Sequence, residues 1–267
     1  MNQALPSILL IGGGKMGAAM LAGWRERGLT AAIVVDPAPG AASLAGGDVV
    51  VVPDAAAIPP GFEPQAVVLA VKPQTAADAL PPASARFGRA VVLSIMAGRT
   101  TAGLHRMLGA GCPIVRAMPN TPAAVRQGIT VAFAAAGVTG AQEALCQTLL
   151  EAIGEVAWVT DEALLDPVTA VSGSGPAYVF LLAELMEKAA IEQGIPAALA
   201  RRLARVTVSG SGALLAASAQ DAAELRVAVT SPGGTTQRAL DVLMSAWPEP
   251  MSRAIAAATD RSRELGS

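Results

Sequence analysis

Ile8-Leu-Leu-Ile-Gly-Gly-Gly-Lys-Met-Gly17 decides the fold. Four apolar residues without a polar break read as a short strand buried on both faces. The glycines that follow are spaced Gly12-x-Gly14-x-x-Gly17. In that spacing the first glycine permits a tight turn and the second lets a pyrophosphate approach the backbone. The third lets the following helix pack close to the strand. The helix would open on free N–H groups and the positive end of its dipole, which suits a phosphate. A second apolar run, Ala32-Ile-Val-Val35, ends at Asp36, nineteen residues past Gly17. Strand, glycine turn, helix and acidic residue together make a dinucleotide fingerprint. The plainer reading is a tight turn in an α/β core.

Two readings stand for Asp36. Its carboxylate accepts from the adenosine ribose hydroxyls, which leans the cofactor toward NADH over NADPH, or it caps the turn Asp36-Pro-Ala-Pro-Gly40. No Arg or Lys lies between Asp36 and Ser43 to meet a 2′-phosphate. Outward from the first strand, further runs begin at Ala66, Ala90, Pro113, Ile129 and Val156, with helical stretches between them. This alternation predicts a mostly parallel, doubly wound sheet of the Rossmann kind over residues 1–160. Ligands gather at the carboxyl ends of such strands. The cofactor contacts expected there are Gly12, Gly14, Lys15, Met16 and Gly17, then Asp36, then Ala70-Val71-Lys72-Pro73, and Met118 with Asn120 in the stiff Met118-Pro-Asn-Thr-Pro122 loop. For Lys72 the alternative is a solvated loop lysine.

Past Thr160 the strand pattern stops. Helices are expected over residues 161–170, 176–193, 196–219, 235–246 and 248–264, giving an all-α second domain over 161–267. The 176–193 segment is apolar nearly all round, the mark of a helix covered on several sides. Its stretch Val179-Phe-Leu-Leu-Ala-Glu-Leu-Met186 has one charge in eight residues, too apolar for a monomer surface. A homodimer through this half is expected.

The chain has 267 residues, 52% hydrophobic and 3% aromatic, with a net charge of −2, so the core is aliphatic. The absence of a basic run argues against nucleic acid as a partner. Cys112 and Cys146 give neither a disulfide framework nor a zinc site, and no metal is expected. No leader pattern opens the chain, and no uninterrupted apolar run reaches the length of a membrane span. A cytoplasmic protein without a membrane partner is the expectation. His105, the only histidine, falls in a helix expected to face solvent and is not taken as catalytic.

Ser231-Pro-Gly-Gly-Thr-Thr236 is left over. A Pro, two glycines and two threonines at a helix start form either an ordinary N-cap, at Ser231 or Thr235, or an anion site made of backbone N–H groups. Taken with Gly12–Gly17, Ala70-Val-Lys-Pro73, Met118-Pro-Asn-Thr-Pro122 and Val171-Ser-Gly-Ser-Gly-Pro-Ala-Tyr178, it makes the chain resemble the pyrroline-5-carboxylate reductases along nearly its whole length. The resemblance implies a Rossmann domain followed by a helical dimerisation domain, assembled as dimers and in some members as rings of dimers. It implies reduction of 1-pyrroline-5-carboxylate, a small-molecule substrate, to L-proline by hydride from a nicotinamide cofactor, NADH or NADPH.

By that resemblance Ser231, Gly233, Gly234, Thr235 and Thr236 bind the substrate. Free N–H groups of Gly234, Thr235 and Thr236 would face its carboxylate, and the Thr236 hydroxyl the ring nitrogen, which makes Thr236 the catalytic candidate. The chain departs from the family pattern just upstream. Asp221-Ala-Ala-Glu-Leu-Arg-Val227 stands where the family reads His-Pro-x-x-Leu-Lys/Arg-Asp. A reductase of a related cyclic imino acid and a non-catalytic dinucleotide sensor are the alternatives. The sensor would have no reason for the Ser231–Thr236 loop.

Overall fold

The computed structural model describes residues 5–109 and 111–266. Met1 to Ala4, Ala110 and Ser267 lie outside them, and the expectation of no leader pattern falls in part on Met1 to Ala4.

Eight strands form one sheet: β1 (Ile8–Ile11), β2 (Ala32–Val35), β3 (Val49–Val52), β4 (Ala66–Leu69), β5 (Val91–Ser94), β6 (Ile114–Met118), β7 (Gly128–Ala134) and β8 (Gly154–Trp158). Their order is β3-β2-β1-β4-β5-β6-β7-β8. The strand order reverses between β1 and β4, where open sheets of this kind bind their ligands. Ile11 is in register with Val35 on one side and Leu69 on the other. Three parallel strands therefore end level, and Gly12, Asp36 and Ala70 leave the sheet side by side.

Strand alternation splits the core in two. Ile8, Leu10, Val34, Val68 and Leu93 face one side, where they pack with Met20, Leu21 and Trp24 of α1 (Lys15–Glu26). Leu9, Ile11, Val67, Leu69 and Val92 face the other, with Leu80 of α2 (Ala76–Ser84) and Leu104 of α3 (Thr101–Leu108). Both faces are covered, which is why these strands read as unbroken apolar runs. Trp24, fully buried, donates its indole N–H to Leu149 O at 2.9 Å, which ties α1 to α4 (Gly140–Glu151).

One strand differs from the sequence expectation, and the sheet is mostly parallel as expected. β3 was not expected; it is an edge strand with Val50 half exposed, reached through the turn residues Gly46-Gly47. β7 runs antiparallel to β6.

Residues 5–173 and 258–266 form one compact unit, and residues 174–257 form another. The stretch expected as one helix over 161–170 is instead a short 3-10 turn (Glu162–Leu164), a single α turn, α5 (Leu165–Val168), and a π turn (Thr169–Gly173). The second unit holds α6 (Gly175–Glu192), α7 (Ala197–Ala217), α8 (Ala222–Ala228) and α9 (Thr235–Ala246). α10 (Pro248–Gly266) begins in it and ends in the first unit. α6 and α7 pack on each other across a turn closed by Gly194 at φ +86°. α8 was not expected; Asp221 and Glu224 build a capping box at its start.

Large apolar side chains stand exposed along these helices, Phe180 and Val242 each at 67%. The segment Glu162–Glu192 is long and apolar enough, by length and composition, to cross a membrane, and 6% of its most apolar window is buried. The expectation of no such segment is corrected here. It rested on uninterrupted apolar runs, whereas this segment reaches the length with a few Gly, Pro and Ser residues within it.

Candidate active site

The glycine turn has the shape its spacing predicts. Gly12 holds φ +103°, a conformation strained for a residue with a side chain, and a Cβ there would lie 2.8 Å from the Ala70 carbonyl. A Cβ on Gly17 would strike the Gly12 carbonyl oxygen. Gly14 is the opposite case: nothing lies within 4 Å of where its Cβ would be. Gly14 also occupies the N-cap of α1, and no side chain caps that helix. The first turn of α1 thus starts without a side-chain cap beside exposed Gly14 and Lys15. A tight turn, an uncapped helix start and room at the middle glycine fit a dinucleotide pyrophosphate.

Asp36 leaves β2 with both carboxylate oxygens engaged. Oδ2 accepts from Gly13 N at 2.6 Å and Oδ1 from Ala38 N at 2.8 Å. These bonds give Asp36 its turn-cap role after β2 and set its carboxylate against the glycine loop.

On the other side of β1, Ala70 N donates to Ile11 O at 2.8 Å, which sets the start of the Ala70–Pro73 loop against Gly12. Lys72 is exposed, and its carbonyl accepts from Thr75 N and Thr75 Oγ1, both at 3.0 Å. Met118, half-buried, closes β6 at the same edge of the sheet, with β5 between it and β4. Its methyl group lies where a Cβ on Gly173 would be, 2.7 Å away. Asn120 Oδ1 accepts from Ile129 N at 3.0 Å, so its amide oxygen shapes the loop into β7 and its amide nitrogen remains. Every expected cofactor residue therefore sits at the carboxyl edge of the parallel strands. Gly12, Gly13, Asp36 and Ala70 are in direct contact there.

The exit of β5 at that edge was passed over by the sequence reading. Arg99 lies there, and its Nη2 donates to Pro73 O at 2.6 Å. A lone arginine after an apolar run was the available signal. His105 is half-buried with an enclosed Nδ1, so the expectation that it faces solvent is corrected.

In the second unit, Ser231–Thr236 forms a turn followed by a helix start. Gly233 has φ +72° and Gly234 N donates to Ser231 O at 3.0 Å. The expectation that the Gly234 N–H is free is corrected: Pro232-Gly233 bends the chain so that this N–H closes the turn. Gly234 occupies the N-cap of α9, and neither Ser231 nor Thr235 supplies a cap. Gln237, missed from the sequence, reaches back to accept from Gly233 N at 2.6 Å. The exposed first turn of α9, with the N–H groups of Thr235, Thr236 and Gln237 and the two threonine hydroxyls, is left facing outward.

Residues 162–265 match the family model for pyrroline-5-carboxylate reductase dimerisation, and residues 7–98 match that for NADP oxidoreductase, coenzyme F420-dependent. A pyrroline-5-carboxylate reductase of Pseudomonas aeruginosa is 40% identical over 98% of both chains. One of Haemophilus influenzae is 36% identical over 97% of both. The structure of a Coxiella burnetii pyrroline-5-carboxylate reductase superposes with a TM-score of 0.88 at 33% identity, covering 98% of this chain and 99% of the other. That of a Plasmodium falciparum pyrroline carboxylate reductase with NADP bound superposes at 0.84, with 25% identity and 98% of both chains covered. The dimerisation match spans the apolar helices left bare above and supports self-association of the chain. By sequence along nearly its full length, the chain belongs to the pyrroline-5-carboxylate reductase family.

Proposed function

We infer that this protein reduces 1-pyrroline-5-carboxylate to L-proline. The observation that carries this is the 40% identity to a curated reductase over 98% of each chain. The cofactor is a nicotinamide dinucleotide, and when bound in its reduced form it supplies the hydride. The chain's own residues bind and orient. Gly12, Gly14 and Gly17 bring the backbone of Lys15 and Met16 to the pyrophosphate. Asp36 faces the adenosine ribose, and Ala70, Val71, Lys72 and Pro73, with Met118 and Asn120, line the crevice beyond.

The Ser231–Thr236 loop holds the substrate carboxylate on the N–H groups of Thr235 and Thr236, in a turn shaped by Ser231, Gly233 and Gly234. An uncapped helix start supports this, since the N–H groups of Thr235, Thr236 and Gln237 in that first turn have no acceptor within the helix. The Thr236 hydroxyl hydrogen-bonds the ring nitrogen. A cyclic imine that enters protonated needs no strong acid from the protein, so position and orientation carry most of the rate. NADH is preferred over NADPH, because Asp36 is fixed where a 2′-phosphate would lie; the NADP in the Plasmodium structure is that protein's own. The working form is a cytoplasmic homodimer, or a ring of such dimers, formed through residues 161–267, with residues 1–160 as the dinucleotide domain. Adding pyrroline-5-carboxylate to purified protein with NADH or NADPH tests the reading. Cofactor oxidation should begin on that addition. Oxidation at the same rate without it would contradict the reading.

A further inference from the structure

We propose that Arg99 is a positioning residue for the cofactor, which it serves by fixing the Ala70–Thr75 loop from behind; the inference rests on the reading of that loop as cofactor-binding. Arg99 stands in the loop past the end of β5, the strand next to β4. Its Nη2 donates to the Pro73 carbonyl at 2.6 Å. Proline has no N–H, so this carbonyl is the whole of its backbone hydrogen-bonding capacity. The loop then has three anchors: Ala70 N on Ile11 O, Thr75 on Lys72 O, and Arg99 on Pro73 O. Arg99 supplies the only one of the three that comes from the β5 side.

Arg99 is itself held. Next to it, Gly98 has φ +71°, and a Cβ there would lie 2.7 Å from the Cβ of Leu265 in the last turn of α10. Two residues on, Thr101 N donates to Glu162 Oε1 at 2.8 Å, and that same oxygen pairs with buried Arg116 at 3.1 Å. The exit of β5 is thus pinned by two segments distant in sequence. Arg99 makes no ion pair among the described residues, and its Nε is enclosed without a partner. A part-buried guanidinium with an enclosed Nε and no carboxylate partner costs stability. It puts fixed positive charge behind a loop proposed to face an anionic dinucleotide, and it holds the backbone of that loop in one place.

The test uses the full chain with Arg99→Met, Arg99→Lys and, as a control on the loop itself, Lys72→Glu. NADH affinity is measured by calorimetric titration, steady-state constants for both substrates are measured, and thermal unfolding is followed. Arg99→Met should weaken NADH binding and raise its KM about tenfold, as expected on losing a charge-assisted hydrogen bond. The kcat and the KM for pyrroline-5-carboxylate should stay within about twofold, the pattern of a lost uniform binding contribution. Arg99→Lys should recover part of the affinity. Unchanged NADH affinity in Arg99→Met alongside weakened binding in Lys72→Glu would overturn the role of Arg99 and leave the loop reading standing. Unchanged affinity in both would remove the loop from the cofactor site and the proposal with it. A joint loss of kcat, both affinities and melting temperature in Arg99→Met would make it a structural residue only.

Discussion

Asp36 Oδ2 accepts the Gly13 N–H at 2.6 Å, while its other oxygen accepts from Ala38 N at 2.8 Å. A carboxylate held at both oxygens does not swing into solvent to make room for another anion. At about 4 Å from a 2′-phosphate it would repel by roughly 1–4 kcal/mol, depending on local water. NADH should therefore exceed NADPH in kcat/KM by about tenfold or more, mostly through KM. Steady-state kinetics with both cofactors checks this, and Asp36→Ser should narrow the gap. A preference for NADPH would make Asp36 a turn residue only.

The three glycines should fail differently. Gly17→Ala puts a methyl group on the Gly12 carbonyl, so α1 must move away from β1. Overpacking of this kind costs about 1–3 kcal/mol. Its melting temperature and its cofactor affinity should fall together. Gly14→Ala meets no protein atom within 4 Å. It should unfold like the parent and lose cofactor affinity alone, because its methyl group occupies the space proposed for the pyrophosphate. Thermal unfolding beside NADH titration separates the two. Equal NADH affinity in Gly14→Ala and the parent would place the pyrophosphate elsewhere.

Thr236→Ala should leave NADH affinity unchanged and reduce turnover. One hydrogen bond made in the transition state is worth about 1–3 kcal/mol, roughly ten- to a hundredfold in rate. Gln237→Ala should act in the same direction through the substrate KM, since the Gln237 amide oxygen holds Gly233 N at 2.6 Å and with it the shape of the turn. An unchanged kcat in Thr236→Ala would take its hydroxyl out of the reaction.

How far the sequence was legible follows from which residues act locally. The Gly12–Gly17 turn was readable because a turn, a backbone approach and a helix contact each need a glycine at a fixed spacing. The apolar strands were readable because helices cover both faces of the sheet. β3 carries the same local signal, four β-branched residues in a row at Val49–Val52, and only its place at the sheet edge is set by pairing outside the segment. The reversal of β7 was hidden because strand direction depends on the long-range pairing of Met118 with Val131, which no local pattern encodes. At the second site the sequence located the helix start at Thr235 but not the hydrogen bonds. That Gly234 N turns inward to Ser231, and that Gln237 reaches back, depend on φ at Gly233 and on one side-chain rotamer. Arg99 was missed for the same reason: its partner, Pro73, is 26 residues away.

Burial pushes the Cys146 thiol from 9.0 up to about 12, and the nearby charge of Glu143 adds to the shift. A thiol raised on folding favours the folded state fully below the unfolded value near 9, and that contribution is lost as pH climbs toward about 12. Denaturation midpoints should therefore fall above about pH 9, and Cys146→Ser should shrink this alkaline dependence. At pH 8 a thiol reagent should modify half-buried Cys112 ahead of buried Cys146. Equal rates at the two positions would show that the α4 packing opens readily.

The reduction of 1-pyrroline-5-carboxylate is tested most directly by its product. With purified protein, NADH carrying deuterium at both C4 positions of the nicotinamide and 1-pyrroline-5-carboxylate, mass and chirality of the amino acid formed should be measured against cofactor oxidised. The account predicts L-proline carrying deuterium at C5, one molecule for each NADH consumed. Cofactor oxidation without proline, or proline without the label, would contradict it.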